Sequence, residues 1–277
     1  MSEQRESDRQ LKAFWDQSRE YYELAIETNP EAASERQELF AHLRGGELIL
    51  DLGCGACDNA VWLPKSCRYV GTDVSTAGLA LARELDRQAQ TVRADAQRLP
   101  FADQSFDAVL STWAIEHFHE PARTLLEVIR VLKPGGLMLL VGSAWDLPHS
   151  LPPSLDPRRR RTLAFKRLGH QLRSLLDRRH RFEIVAEPRA LSEEYVPDAD
   201  AVHVTQSYLV RRFLEASGLE ILVQRSLTHN QNPSSLKRLV RAVIRVVPLW
   251  RHAWGNTLFV ARKGKTTTRP PYDLLRL

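Results

Sequence analysis

The sequence predicts a doubly wound α/β domain, in which strands alternate with helices around a mostly parallel sheet. First, the apolar run Glu47 to Leu52 breaks into a turn at Gly53 and Gly55, which is typical of a buried strand whose end meets a ligand. Second, short apolar runs alternate with helical patterns as far as residue 142, and this alternation favours parallel strands. Third, acidic residues stand at the ends of three predicted strands: Asp51, Asp73 and Asp95.

The composition is that of a folded protein with one large domain. The chain has 277 residues, of which 43% are hydrophobic and 26% charged, so it can bury a full core. No apolar run is long enough to span a bilayer, and Met1 to Gln10 lacks an apolar signal core, so we expect a cytoplasmic protein. Cys54, Cys57 and Cys67 are odd in number and lie in one region, which argues against a disulfide framework and fits a reducing compartment.

Charge is divided unevenly along the chain, although the net charge is only +5. Residues 1–150 carry 15 Lys and Arg against 23 Asp and Glu, whereas residues 151–277 carry 24 against 11. The basic half favours an anionic substrate, a membrane surface or nucleic acid as a partner, and for any single arginine plain solubility is the simpler explanation.

Helical spacing predicts two helices before the first strand, over Leu11–Ala25 and Glu31–Leu43. A helix can also open at Cys57–Leu63. Further strands are predicted over Tyr69–Thr72, Gln90–Ala94, Ser105–Ser111 and Leu137–Val141. Further helices are predicted over Thr76–Ala89 and Pro121–Leu132, and the segment Lys133 to Gly136 separates the second of these from the strand that follows.

After Gly142 the sequence becomes rich in proline and arginine, which indicates an insertion with a helix between Arg160 and Leu176. The regular pattern returns with a helix over Thr205–Ser217 and strands over Leu219–Ser226 and Asn256–Arg262. We therefore divide the chain into N-terminal helices that cap the site (1–45), a core (46–142), a substrate-capping insertion (143–204), the rest of the core (205–263) and a tail (264–277).

Five motifs occur in a fixed order: Leu50 to Gly55, Asp73, Asp95-Ala96, Ser105 to Val109, and Leu132 to Gly136. Together they resemble the motif series of class I S-adenosylmethionine-dependent methyltransferases, in particular the branch that acts on small molecules. The resemblance spans roughly residues 46–142. It implies a Rossmann-like, seven-stranded sheet with an antiparallel last strand, and S-adenosyl-L-methionine as cofactor.

The residues themselves separate this site from a dinucleotide site. A pyrophosphate-binding turn needs a third glycine where Asp58 stands, and a carboxylate there would repel phosphate. S-adenosylmethionine has no phosphate and carries an ammonium group, which suits Asp51. The resemblance implies that Asp73 binds the ribose and that Asp95 and Ala96 meet the adenine. The predicted cofactor contacts are Asp51, Gly53, Cys54, Gly55, Asp73, Val74, Asp95, Ala96 and Trp113.

Several of these residues also have a simpler interpretation. Asp51 and Asp73 can be turn residues, and Asp95 is a typical cap before a loop. Cys54 and Cys57 form a C-x-x-C pair, but no second pair accompanies it, so we interpret both as small turn residues and predict no metal site. Asp107 is expected to support its strand.

Methyl transfer from a sulfonium is an in-line displacement, which needs alignment and exclusion of water rather than a covalent intermediate. A hydroxyl acceptor would also need a general base, for which histidine is the usual choice. The candidates are His117 and His119 after the fourth strand, and His203 or Tyr195 near the end of the insertion. Glu116-His117 is frequent in the family, so His117 can equally be scaffold.

Residues 234–247 form a basic amphipathic pattern that is followed by Trp250 and Trp254. Packing on the domain is the default for such a helix, and peripheral membrane contact through 234–254 is the alternative. Nucleic acid is not predicted as a partner, because no recognisable binding module is present.

The sequence thus predicts an S-adenosylmethionine-dependent methyltransferase that acts on a small molecule of anionic or lipid-linked chemistry, at oxygen. Two other classes stay open. One is a nucleotide-dependent oxidoreductase, which Asp51 and Asp58 disfavour, and the other is a non-catalytic binding protein of the same fold at a membrane surface.

Overall fold

The computed structural model describes residues 2–27, 32–85, 89–148, 150–153, 160–176, 182–184, 200–227, 242, 244, 246–252 and 255–266. Within these ranges the strands are β1 Leu48–Leu52, β2 Arg68–Asp73, β3 Gln90–Arg93, β4 Phe106–Thr112, β5 Leu132–Ser143, β6 Glu183–Ile184, β7 His203–Val204, β8 Leu219–Leu227 and β9 Asn256–Lys263. The helices are α1 Ser2–Gln17, α2 Arg19–Glu27, α3 Ala32–Phe40, α4 Thr76–Glu84, α5 Pro121–Val131, α6 Arg160–Leu176 and α7 Ser207–Ala216.

The described strands form a seven-stranded sheet in the order β3-β2-β1-β4-β5-β9-β8, with β6 and β7 as a separate pair. Strands β1 to β5 are parallel, and β9 lies antiparallel between β5 and β8. The predicted Rossmann-like sheet with an antiparallel last strand is therefore confirmed. Because the chain leaves β1 toward β2 on one side and returns through β4 on the other, a crevice opens at the carboxyl ends of these strands.

The two faces of the sheet bury separate apolar clusters. On one face, α5 and α7 contribute Leu126 and Phe213, both fully buried. On the other face, α3 contributes Leu39 against Leu110 and Val260. Each fully buried side chain of this size contributes about 2 kcal/mol, so the two layers hold the strand ends in place around the crevice.

The N-terminal region differs from the prediction. In the described residues three helices precede β1, because the pattern over Leu11–Ala25 is broken at Ser18 into α1 and α2. The apolar spacing continues across the break because both helices pack on α4, and periodicity does not register a bend between them.

The helix predicted from Cys57 is only a 3₁₀ turn over Asp58–Trp62. Pro64 ends it, since a residue before proline avoids the helical region, and Leu63 is extended at φ −76° and ψ 151°.

The fifth strand is longer than predicted, since β5 includes the Lys133 to Gly136 segment. Its register against β4 moves from Phe106 opposite Leu132 to Ala108 opposite Leu137, so the segment bulges outward. Lys133 Nζ lies 2.7 Å from Asp107 Oδ1, and the amide of Leu48 donates to Asp107 Oδ2 at 2.9 Å. Asp107 thus ties three neighbouring strands together.

The insertion contains α6 at the bounds that the sequence predicted. Arg167 is 1% exposed and donates to the carbonyls of Leu147, Pro148 and Ser150, while Gln171 Nε2 donates to the Asp146 carbonyl at 2.6 Å. These bonds attach α6 to the loop that leaves β5.

Several predictions fall outside the described residues: Tyr195, Trp254, most of the 234–247 helix and the tail from residue 267 onward. No helix among the residues that the structure describes combines the length and the apolar character needed to cross a membrane.

Candidate active site

A cavity of about 460 Å³ lies at the carboxyl ends of β1, β2 and β4, and residues of α1, α2 and α3 close it from above. Its position is the crevice that the strand order creates. Ten of the predicted site residues line it: Gly53, Cys54, Gly55, Asp73, Val74, Asp95, Ala96, Trp113, His117 and His119.

The glycine turn after β1 forms one wall of the cavity. Gly53 has φ +71°, and a Cβ there would lie 2.6 Å from the Cβ of Ala114. Gly55 has φ +50°, and a Cβ there would lie 3.0 Å from the ring of Tyr22 on α2. Both positions therefore need glycine for its backbone conformation and for the close approach of neighbouring atoms.

Asp73, at the end of β2, presents a fixed carboxylate to the cavity. Its Oδ2 accepts from the amide of Gly55 at 2.8 Å, and its Oδ1 accepts from the amide of Ser75 at 2.9 Å. Burial raises the pKa of Asp73, and the backbone donors act in the opposite direction. Each oxygen retains a lone pair, so the carboxylate can accept from two further hydroxyls.

Asp51 is fully buried and lies behind the cavity wall rather than in it. Its Oδ2 accepts from Tyr69 Oη at 2.6 Å and from Asn59 Nδ2 at 3.0 Å, whereas Oδ1 has no hydrogen-bond partner among the described residues. Burial raises the pKa of Asp51 to about 6, against the hydrogen bonds and the charge of Arg36, which lower it. Any influence of Asp51 on a bound ligand must pass through a neighbour such as Asn59, which lines the cavity.

Arg36 and Asn59 are cavity residues that sequence reasoning missed. Arg36 on α3 is 5% exposed, and its Nε donates to Asn59 Oδ1 at 2.9 Å. Its Nη2 lies 2.6 Å from Asp58 Oδ2, and its guanidinium lies 5.4 Å from the ring centroid of Trp113. The Asp58 carboxylate is thus paired with a cation, so it would repel a phosphate less than the sequence indicated. The absence of a third glycine at this position remains an argument against a dinucleotide site.

Asp95 has partners of its own. Its Oδ2 lies 2.8 Å from Lys12 Nζ on α1, and its Oδ1 accepts from the amide of Gln97 at 2.9 Å. The carboxylate therefore caps the following loop and also pairs with α1, and less of its accepting capacity remains for a ligand than at Asp73.

His117 lines the cavity and meets a buried acid from the end of the insertion. Its Nδ1 lies 3.5 Å from Asp200 Oδ2, and Trp15 Nε1 donates to the same oxygen at 2.8 Å. The rings of Trp15 and His117 pack edge to face at 5.7 Å. His119 also lines the cavity. Sequence reasoning did not single out Trp15 or Asp200 for this contact, since no local pattern joins them to His117.

His203 lies apart from these residues. It is fully buried on β7, its Nε2 contacts the carbonyl oxygen of Ile115, and its ring packs against Phe182. Burial lowers the pKa of His203 to about 4, so the ring is neutral at physiological pH. Because His203 does not line the cavity, this geometry favours a packing role over the predicted role of a base.

Three or more His, Cys, Asp or Glu side chains arranged to hold a metal ion do not occur within the described part of the chain.

Comparison with known proteins places the chain in a family. A family model described as a methyltransferase domain matches residues 50–140. A demethylmenaquinone methyltransferase of Clavibacter sepedonicus is 32% identical over 187 residues, which cover 66% of this chain and 69% of that protein. The chain therefore belongs to the class I S-adenosylmethionine-dependent methyltransferases, and the cofactor of this family is S-adenosylmethionine.

Other relatives match a smaller part. A phthiotriol/phenolphthiotriol dimycocerosates methyltransferase of Mycobacterium tuberculosis is 39% identical over 97 residues, which are 33% of this chain and 36% of that protein. The chain thus spans little more than a third of the length of the first curated relatives that it matches.

Solved structures share the fold at low identity. A methyltransferase from Mesorhizobium loti has a TM-score of 0.51 at 20% identity, covering 82% of this chain and 96% of its own. The cyclase SpnF has a TM-score of 0.52 at 20% identity, covering 84% and 80%. A cyclase on the same fold shows that the fold does not determine the reaction.

The cavity residues fit S-adenosylmethionine. Asp73 offers a fixed acceptor of the kind that ribose hydroxyls need, and Asp51, which does not line the cavity, can act on an ammonium group through Asn59. The turn itself leaves room that a Cβ at Gly53 would fill. Arg36 also lines the cavity, but its guanidinium is already paired with Asp58 and donates to Asn59.

Proposed function

We propose that this protein transfers the methyl group of S-adenosylmethionine to an oxygen of a small-molecule acceptor bound in the cavity. The observation that carries the proposal is the Asp73 carboxylate, which two backbone amides hold against the cavity beside the glycine turn. When bound, the cofactor supplies an electrophilic methyl group. The protein's contribution is to align the acceptor with that group and to exclude water.

The N-terminal helices perform the exclusion in this proposal. Trp15 and Tyr22 cover the cavity from α1 and α2, and both are 8% exposed. The Ser75 hydroxyl bonds to the carbonyl of Trp15, and Asp16 Oδ1 accepts from the amide of Thr76 at 2.7 Å. These contacts fix α1 to the start of α4, so the helix that covers the cavity is held in place by the core of the domain.

His117 is the base in this proposal. In the tautomer that carries its proton on Nδ1, the ring donates toward Asp200, whose carbonyl oxygen lies at 3.4 Å and whose Oδ2 lies at 3.5 Å, and Nε2 is then the basic nitrogen that takes the proton of an acceptor hydroxyl. Asp200 is 1% exposed and its negative charge stabilises the imidazolium that results. His119 is a second cavity histidine, and His203 is left out because it lies elsewhere.

The acceptor that we propose is apolar or lipid-linked, with a hydroxyl or an anionic group. Support comes from the names of the relatives, which refer to dimycocerosates and to demethylmenaquinone. Arg36 lies at the cavity wall above the Trp113 ring, and only the guanidinium N–H groups that Asp58 and Asn59 do not use can bind an anionic acceptor or the cofactor carboxylate.

Peripheral contact with the cytoplasmic face of a membrane belongs to the same proposal. The predicted segment 234–254 meets the insertion where Trp250 Nε1 donates to Gln171 Oε1 at 3.1 Å. Helix α6 contains no acidic residue. Its exposed side carries Phe165 at 77% and Leu172 at 52% exposure, which stand about two helical turns apart. Lys166 and Arg173 follow them and are also exposed. Apolar side chains flanked by cations suit an anionic lipid surface.

Vesicle co-sedimentation tests the membrane contact separately from catalysis. We expect binding to phosphatidylglycerol vesicles at low salt and weaker binding at high salt. Binding should be lost on Lys166→Glu but not on the matched Lys65→Glu, which lies on an exposed turn outside α6. Equal binding by both variants would contradict the contact through α6.

The central test is titration calorimetry with S-adenosylhomocysteine, followed by a methyl-transfer screen against hydroxylated lipids and quinols. Binding that is lost on Asp73→Ala, with turnover on at least one acceptor, supports the proposal. Binding without turnover across the screen would favour a non-catalytic protein, and a bound nicotinamide or flavin would favour an oxidoreductase.

A further inference from the structure

Two thiols lie against each other at the base of the glycine turn. Cys57 Sγ is 3.5 Å from Cys54 Sγ, and the structure records both cysteines as free. Cys54 lines the cavity at 7% exposure, and Cys57 is fully buried behind it. Cys57 has no part in the proposed methyl transfer, and Cys54 enters it only as a predicted contact to the cofactor.

The backbone already holds the two residues at a distance that a disulfide needs. The amide of Cys57 donates to the carbonyl of Cys54 at 2.8 Å, which closes a four-residue turn and keeps the two Cα atoms within about 7 Å of each other. Disulfides span Cα separations of about 4.4 to 6.8 Å. The sulfurs would have to approach by roughly 1.5 Å to reach a bonding distance of about 2.05 Å.

The neighbouring strand leaves space for the sulfur pair. A Cβ at Gly71 on β2 would lie 2.8 Å from the sulfur of Cys54 and 2.8 Å from that of Cys57. The two sulfurs therefore share one recess whose floor is a glycine. Cys57 also holds φ at +56°, in the left-handed region that side chains rarely adopt.

We propose that Cys54 and Cys57 are an oxidation site, at which a peroxide converts the thiol pair into a disulfide and thereby closes the cofactor turn. The inference goes beyond the proposed function, because it concerns a covalent change of the turn and does not depend on which acceptor is used.

The chemistry is balanced with the peroxide as the named oxidant. The thiolate of Cys54, which faces the cavity, attacks one peroxide oxygen, and the O–O bond breaks to give a sulfenic acid and water. The Cys57 sulfur then attacks the Cys54 sulfur, the S–S bond forms, and the hydroxyl leaves as a second water. Two thiols and one hydrogen peroxide thus give one disulfide and two waters.

Two properties of the site govern the reaction. Burial raises the pKa of the Cys54 thiol well above its ordinary value, so little thiolate is present at neutral pH, and the reaction should be slow there and become faster as the pH rises. Access to Cys54 is from the cavity, so an occupied cavity should protect the pair. Once formed, the bond shortens the turn between Gly53 and Cys57, and the amide of Gly55 that holds Asp73 lies inside that turn.

The test uses the full chain with hydrogen peroxide, followed by alkylation and peptide mapping by mass spectrometry. We expect a peptide in which Cys54 and Cys57 have lost two hydrogens, formed at least fivefold more slowly with S-adenosylhomocysteine present and reversed by dithiothreitol. Calorimetry on the oxidised protein should show affinity for S-adenosylhomocysteine at least tenfold weaker than before oxidation.

Cys57→Ala should abolish both the cross-link and the loss of affinity, whereas Cys67→Ala, the matched change at the remaining cysteine, should leave both. If Cys57→Ala does not fold, peptide mapping of the oxidised wild-type protein still tests whether the cross-link between Cys54 and Cys57 forms. Oxidation of Cys54 only to sulfinic acid, a cross-link that forms only in urea, or unchanged affinity after cross-linking would overturn the proposal.

Discussion

Asp200 Oδ2 lies 3.5 Å from His117 Nδ1, and the two residues come from distant parts of the chain. Asp200 lies near the end of the insertion, whereas His117 ends the short 3₁₀ turn after β4. The same carboxylate oxygen accepts from Trp15 on α1, so three separate parts of the chain meet at one buried acid. This arrangement can hold a histidine in one tautomer beside the acceptor.

We expect Asp200→Asn to lower kcat by about 10-fold or more and His117→Gln by about 100-fold, which is the scale of general base catalysis. The reason is that Asn cannot stabilise the imidazolium and Gln cannot take a proton. The measurement is steady-state methyl transfer by the two variants and the wild type. The turnover number should fall in both variants, while cofactor affinity stays within twofold. An equal loss of cofactor affinity would instead mean that the pair only supports the fold.

Asp73→Ala is expected to weaken binding of S-adenosylhomocysteine by at least about 1.5 kcal/mol, since ribose hydroxyls would lose a charged acceptor. Calorimetry measures this directly. Asp95→Ala is the matched comparison, and its effect should be smaller because Lys12 and Gln97 already occupy that carboxylate. An effect at Asp95 that exceeds the one at Asp73 would contradict the assignment of the ribose to Asp73.

Asp51 should make the stability of the cofactor-free protein dependent on pH. Its pKa is about 6 in the folded protein against an ordinary value of 3.8, so the folded state prefers the protonated form. The stabilisation is therefore complete below pH 3.8 and is lost as the pH rises through about 6. Asp51→Asn should remove this loss and raise the free energy of unfolding at pH 8 by up to about 3 kcal/mol.

Urea denaturation at pH 5 and pH 8 checks this, with the difference between the two pH values smaller in Asp51→Asn than in the wild type. Binding of a cationic ligand near Asp51 should favour the ionised carboxylate, so the affinity of the wild type for S-adenosylmethionine should rise between about pH 5 and pH 7. A pH-independent affinity would show that Asp51 does not sense the ligand.

Gly53→Ala and Gly135→Ala form a matched pair at similar backbone angles. Gly53 has φ +71° and an added Cβ would meet Ala114 at 2.6 Å, whereas Gly135 has φ +81° with nothing within 4 Å of an added Cβ. Backbone strain alone should cost about 1 kcal/mol at Gly135. Gly53→Ala should cost more and should also weaken cofactor binding at least tenfold, as measured by thermal unfolding and calorimetry. An equal loss of unfolding free energy in the two variants would show that the close approach of Ala114 to Gly53 does not restrict this position.

Local sequence was sufficient for the parts of the site that follow single strands. Gly53, Gly55 and Asp73 could be predicted because each stands at a fixed offset from a buried apolar run, and parallel strands bring their carboxyl ends to one edge. The helical pattern predicted the bounds of α6, whereas the antiparallel position of β9 was implied only by the resemblance to the methyltransferase family.

The local apolar pattern did not predict the places where the backbone bends or bulges while the apolar spacing stays the same. The break at Ser18, the 3₁₀ turn before Pro64 and the bulge at Lys133 to Gly136 leave the apolar spacing nearly unchanged, so periodicity did not reveal them.

By itself, then, the sequence determined the sheet, the glycine turn and the cofactor class, since these depend on burial patterns and offsets within one strand and its turn. Only the tertiary structure decided that Asp200 and Trp15 meet His117, that Arg36 pairs with Asp58, and that His203 lies outside the cavity. Trp15 and Asp200 are 185 positions apart, and such a contact depends on how helices and insertion pack on the sheet, which no spacing along the chain encodes.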